Sequence, residues 1–233
     1  MEATRSLGRK VGVLLLVQMA MGLVLPFMLL SPAFVSFPGF LNTFGENPWR
    51  ARSAVFISLL GSALTVALAI ALWPVLRKYS ERIAITLALV CGVSCVLDIV
   101  QDASVMSMLS LSDRFAGAGG ADGAAYQMIG AAVASTRRWA HYTQLIGFAA
   151  WMFTFYVASL RLRLLPRSLA VVALVAVVSQ FIGVTLMAFL GLSQITLMAM
   201  PLGVVHFAAG VWLVIKGFDD KPGLIGNYAA AAG

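Results

Sequence analysis

Asp98 and Asp102 are the residues in this chain best placed to do chemistry: two carboxylates one helical turn apart, inside a stretch otherwise apolar enough to cross a membrane. At about 100° per residue they fall with Cys91 and Cys95 within an arc of roughly 60°, so a helix presents all four as one column. Carboxylates about 6 Å apart repel by about 3 kcal/mol at an effective dielectric near 20. Both are charged only where a cation, an arginine or water compensates. That leaves a shared proton, a bound metal ion, or salt bridges to Arg137 and Arg138. Ionisable groups inside a membrane are costly to keep and are functional candidates by default.

Three further side chains bear on that column. His141 opens a later apolar stretch at a depth matching Asp102, one turn before Gln144. Asp98, Asp102, His141 and Gln144 therefore form a candidate polar pocket, and Asp98, Asp102 and His141 a candidate carboxylate/imidazole metal site for zinc or iron. His206 is a fifth candidate, several turns deeper than His141, which makes a haem held by both histidines geometrically poor. No HExxH or Glu-x-x-His spacing accompanies them. Two Met-x-Met pairs, Met106 with Met108 and Met198 with Met200, are soft enough for Cu(I), although methionine is also ordinary filler in apolar helices. No lysine sits within an apolar span to form a Schiff base, and no phosphate-binding Gly loop or GxSxG elbow is present.

The elements that must position these groups are membrane helices. Of the 233 residues, 61% are hydrophobic and 11% charged, against about 25% charged in soluble domains. The apolar residues run in stretches of about 20, the length that crosses a hydrocarbon core of roughly 30 Å, and β-barrel alternation is absent. Backbone groups in lipid must be paired internally, which selects helices. The reading is an all-α polytopic bundle of six transmembrane helices, at about 11–33, 53–76, 83–106, 139–160, 168–190 and 196–216. It forms one domain over 1–218, with a flexible tail over 219–233. The first run is too long for a signal-peptide core and is expected to stay as a helix.

Charge placement sets the expected orientation. With a cytoplasmic N-terminus, Arg50, Arg52, Arg114, Arg137 and Arg138 fall outside and the rest of the 16 Lys and Arg residues fall inside, placing both termini in the cytoplasm. The formal charge of +7 then reflects topology and anionic headgroups of the lipid bilayer, not nucleic acid. Trp73 and Trp212 are expected at inner helix ends, Trp49 and Trp139 at outer ones.

Two outer segments exceed what a turn needs. Residues 37–52 carry Pro38, Gly39, Asn42, Gly45, Asn47 and Pro48 and read as an ordered loop. Residues 113–138 read as a mobile Gly/Ala stretch, then a short amphipathic surface helix over Ala124–Ser135 capped by Asp122. Ala63, Ala67 and Ala71 form a small-residue ridge expected at a helix interface. Pro26 and Pro201 predict a kink or a first-turn break. A Cys91–Cys95 disulfide would join nothing beyond one turn, so both are expected as reduced packing residues.

The inner-loop run Leu164-Leu165-Pro166-Arg167-Ser168-Leu169-Ala170, the closing Val211-Trp212-Leu213-Val214-Ile215-Lys216-Gly217-Phe218 and Tyr79-Ser80-Glu81-Arg82 resemble an uncharacterised family of bacterial six-span membrane proteins, a domain-of-unknown-function family. The resemblance covers nearly the whole chain and implies the six-span fold and a bacterial inner-membrane location, with no activity attached. That family tends to carry glutamates in its third and last helices, where this chain has Asp98 and His206. Three classes of function remain. The leading one is binding or transport of a cation, proton or small amphiphile through an outer-facing polar pocket, with a homodimer to enclose the pathway. The others are a membrane-embedded enzyme acting on a lipid-soluble substrate, and an accessory subunit of a membrane complex.

Overall fold

The structure is a computed structural model that describes residues 2–118, 123–192 and 195–218. All regular structure among them is helical: α1 (Glu2–Val24) running into a π-helical turn (Leu25–Leu29), α2 (Pro32–Val35), α3 (Phe40–Glu46), α4 (Pro48–Tyr79), α5 (Glu81–Gly117), α6 (Gly123–Arg161), α7 (Arg167–Leu190) and α8 (Ile195–Lys216). Six segments are long and apolar enough to cross a membrane, and the chain is a multi-pass membrane protein. The tail 219–233 and the proposed cap Asp122 lie outside the described residues.

Proximity along the backbone divides the chain into two compact units. One comprises Met1–Met19, Leu64–Ser94 and Leu145–Gly233. Its core is built on Leu15, Leu72, Leu87, Trp151, Phe155 and Tyr156, all fully buried. α1 and α8 approach within it through glycine: a Cβ on Gly12 would stand 2.7 Å from the backbone nitrogen of Val214, and one on Gly210 2.7 Å from Leu16. Only hydrogen side chains let the two helices meet this closely. α7 and α8 also pack together, and α7 closes at Gly191, whose φ of 68° is the left-handed conformation that favours glycine.

The other unit comprises Ala20–Ala63 and Cys95–Gln144. Its apolar core joins Phe34, Phe40 and Phe44 to Val105, Met108 and Leu109 of α5. Phe34 and Phe44 stack at 4.5 Å, and the Arg50 guanidinium lies 4.2 Å from the centre of the Phe34 ring. Ser112, fully buried, donates to the Leu41 carbonyl at 2.7 Å and accepts from the Gly45 amide at 2.8 Å, tying α3 to α5. The segment 37–52 is thus a folded cap containing α3 and the start of α4, more ordered than a loop. Its side chains bury aromatic area, which turn residues alone do not disclose.

The third and fourth spans are longer than the hydrophobic runs suggest. α5 has 37 residues and α6 has 39, each well beyond the roughly 20 that a bilayer needs. The helix over Ala124–Ser135 is the uninterrupted start of α6, not a separate surface element. The expected kink at Pro26 is the π-helical turn: proline has no N–H to give, and Leu30 donates to the Leu25 carbonyl, five residues back, at 2.7 Å. Pro201 lies inside α8, as does Pro74 inside α4.

Candidate functional site

Polar side chains within an apolar helix must find partners among other helices or lose several kcal/mol apiece, so they turn inward. On α4, Ser58 and Ser62 lie one turn apart, and both are buried. On α5 the Cys91–Asp102 column faces inward as expected: Cys91 and Asp102 are buried, Cys95 and Asp98 half-buried, and both cysteines are free thiols. On α6, Arg137, His141 and Gln144 follow one another at helical spacing, all half-buried.

Four of these side chains form a hydrogen-bonded chain. Ser62 Oγ donates to Asp98 Oδ2 at 2.6 Å, and Gln144 Nε2 donates to Asp98 Oδ1 at 2.9 Å. Gln144 Oε1 lies 3.2 Å from His141 Nδ1. A proton assigned to that ring nitrogen makes imidazole, amide and carboxylate one continuous relay. Asp102 is 5% exposed and bonded to Ser58 through its side chain, yet its Oδ2 is buried and has no hydrogen-bond partner among the described residues. Gln101 Oε1 and Arg137 Nε are likewise buried and unpartnered.

Salt bridges to Arg137 and Arg138 are therefore not what holds the carboxylates. Asp98 is closed by a hydroxyl and an amide, and Arg138 is exposed. Neutral donors from two neighbouring helices take one carboxylate oxygen each. Nor does a metal-ligand set form: among the described residues no three His, Cys, Asp or Glu side chains converge on one point. His141 turns its Nδ1 to Gln144 instead.

His206 belongs to the other unit and has aromatic partners. Its Nδ1 shares a hydrogen bond of 2.8 Å with Tyr156 Oη, and the Trp151 ring meets it edge-on at 6.3 Å. His206 is 5% exposed and Tyr156 fully buried, so this pair is a polar clasp in the core between α6 and α8. The methionine pairs are divided by burial: Met108 is fully buried in the aromatic core, whereas Met200 is exposed.

The sequence reading missed Ser58 and Ser62. Their signal was available as hydroxyls at positions 58, 62 and 65 of one apolar span, all buried. The alanine ridge beside them drew attention instead, and it faces outward: Ala63 and Ala67 are exposed and Ala71 half-buried. A hydroxyl costs more than a methyl to leave in lipid, so the serine face takes the interior.

A family model described as "Domain of unknown function (DUF4386)" matches residues 11–217. Neither a curated protein nor a solved structure matches the chain significantly.

Proposed function

The chain belongs to the DUF4386 family of unknown function, and on that premise we propose that it binds a small monovalent cation, a proton included, at the paired carboxylates Asp98 and Asp102, and moves it through the membrane. The observation that carries this reading is the buried Asp102 Oδ2, which has no partner among the described residues while a second carboxylate sits one turn away. Two such groups repel by about 3 kcal/mol at an effective dielectric near 20. Among the described residues only hydroxyl and amide donors reach Asp98. A proton or a cation supplies the missing positive charge.

The chain Asp98–Gln144–His141 then gives the site a polar route along α6, with Ser58 and Ser62 as neutral oxygen donors beside it. The distribution of Lys and Arg supports a cytoplasmic N-terminus and a bacterial inner membrane as the setting. A second copy of the chain would close the pathway.

Reconstitution into vesicles enclosing a pH-sensitive dye tests the proposal. Imposed proton or sodium gradients should give flux with the native chain and none with folded Asp98→Asn or Asp102→Asn. Native mass spectrometry of the same preparations reads subunit number. Flux that persists in both variants, or a native chain that neither moves protons or sodium nor is stabilised by them, overturns it.

A further inference from the structure

Arg137 takes no part in the relay, yet it turns into the protein. It lies two residues beyond Trp139, whose exposed indole marks the outer interface. A guanidinium at that depth reaches water at little cost, since long basic side chains extend to the headgroups. Arg138, the next residue, is exposed. Arg137 instead is half-buried, and its Nε is buried with no hydrogen-bond partner among the described residues. Leaving a charged group's donor unpaired is costly, so the inward placement calls for a compensating attraction.

Two contacts place Arg137 along α5. Asp98 bonds to Gln144 and the ring of Phe115 meets that of Tyr126, so α5 and α6 run antiparallel with Val105 at the level of Arg137. Val105 is fully buried and shares a cluster with Ala134, one turn from Arg137. Asp102 lies three residues inward of Val105 and Gln101 four, about 4.5 and 6 Å along the axis. Packed helix axes stand about 8–10 Å apart, which sets the backbones of Arg137 and Asp102 about 10 Å from each other.

The unpartnered atoms on the α5 side are both oxygens, Asp102 Oδ2 and Gln101 Oε1, on residues 5% and 4% exposed. Arg137 Nε and Asp102 Oδ2 do not bond each other. The arginine therefore acts on the acids as a fixed charge and leaves Oδ2 open to a further ligand. Asp98, Asp102 and Arg137, with a neutral His141, give the cluster a single net negative charge. The other charges of this unit lie farther out: Glu46, Arg52, Asp113, Arg114 and Arg138 are exposed to screening by water, and Arg50 donates to the Met28 carbonyl. One proton or monovalent cation balances the cluster. A divalent ion overshoots that balance, and from the outer face it must first pass Arg137.

We propose that Arg137 is the specificity-determining residue of the cation site, a fixed positive charge that admits one monovalent ion beside Asp102 and excludes divalent ions. This rests on the cation reading of Asp98 and Asp102 and names what sets the charge of the ion. A unit charge about 10 Å away at an effective dielectric near 20 changes the affinity of a monovalent ion roughly tenfold. The energy doubles with the charge of the ion, so a divalent ion responds roughly a hundredfold or more.

The test is thermal unfolding of the full chain in detergent, titrated with sodium chloride or calcium chloride at constant ionic strength. The midpoint of the native chain should stay level as calcium is added. That of Arg137→Gln should rise, with a calcium affinity roughly a hundredfold or more above the native one and a smaller gain for sodium. Adding Asp102→Asn should abolish the gain, whereas Arg137→Lys, which keeps the charge, and Arg138→Gln should both behave as the native chain does. Arg137→Met keeps the length without the charge and serves in place of the glutamine variant should that one not fold. An Arg137→Gln chain indifferent to calcium overturns the proposal. So does a native chain that binds calcium as tightly, or a gain that Arg138→Gln reproduces. Calcium gained by Arg137→Gln in a protein that moves no ion would sink the transport reading and leave this one standing; flux without that gain would do the reverse.

Discussion

Gln144 on α6 donates to the Asp98 carboxylate on α5 at 2.9 Å, and the same amide turns its oxygen to His141 at 3.2 Å. One side chain thus fixes an acid and an imidazole from opposite ends of its amide. An amide does this because it carries donor and acceptor on one rigid plane. Gln144→Leu should remove both bonds and leave the Oδ1 lone pairs unpartnered, costing about 1–3 kcal/mol. Reversible unfolding in mixed micelles measures it. An unfolding midpoint equal to that of the native chain would mean that the relay contributes nothing to the fold.

Ser112 joins the α3 cap to α5 with one hydroxyl that both donates and accepts. Ser112→Ala strands the Leu41 carbonyl and the Gly45 amide in a fully buried position. The expected cost is about 1–3 kcal/mol, concentrated in the cap. Limited proteolysis should therefore cut within 37–47 before it cuts elsewhere. Uniform resistance across that segment would show the cap held by its aromatic stack alone.

Gly12 and Gly22 lie on the same helix and should respond in opposite ways to a methyl group. A Cβ at Gly12 meets the Val214 nitrogen at 2.7 Å and the Gly210 carbonyl oxygen at 2.8 Å, whereas one at Gly22 meets nothing within 4 Å. Gly12→Ala should force α1 from α8 at about 1–3 kcal/mol. Gly22→Ala should be neutral, or stabilising by up to about 1 kcal/mol through helix propensity. Thermal stability in detergent separates them, and equal midpoints would refute the close crossing.

Tyr156 and His206 should be coupled in a double-mutant cycle. Their shared hydrogen bond of 2.8 Å is buried, and residues in direct contact typically couple by about 0.5–3 kcal/mol. Tyr156→Phe and His206→Phe each strand the other's polar atom, so the double variant should lose less than the sum. Strict additivity would place the two groups out of bonding distance in the membrane.

Much of this was written in the chain itself. Runs of about 20 apolar residues in a polymer whose backbone must be paired allow only helices in lipid, and Asp98 and Asp102 could not face hydrocarbon. The inward acidic column and the reach of His141 and Gln144 toward it follow from period and depth alone. What remained hidden were the partners. That Ser62, not an arginine, donates to the second oxygen of Asp98 depends on which face of α4 turns inward. Hydroxyl and alanine stripes competed for that face, and only the assembled fold decides it.

The lengths of α5 and α6 escaped for a similar reason. Beyond the bilayer, hydrophobic periodicity weakens, and helix is kept by contact with Phe40, Phe44 and the α3 cap rather than by lipid. His206 shows the same divide. Its burial could be anticipated from an apolar span, but its role as a clasp needed Tyr156, 50 residues away in sequence. Sequence determined the class of fold and which groups must be hidden, because transfer free energies are properties of single side chains. The tertiary structure decided which hidden groups satisfy one another, because that outcome depends on the geometry of several chain segments at once.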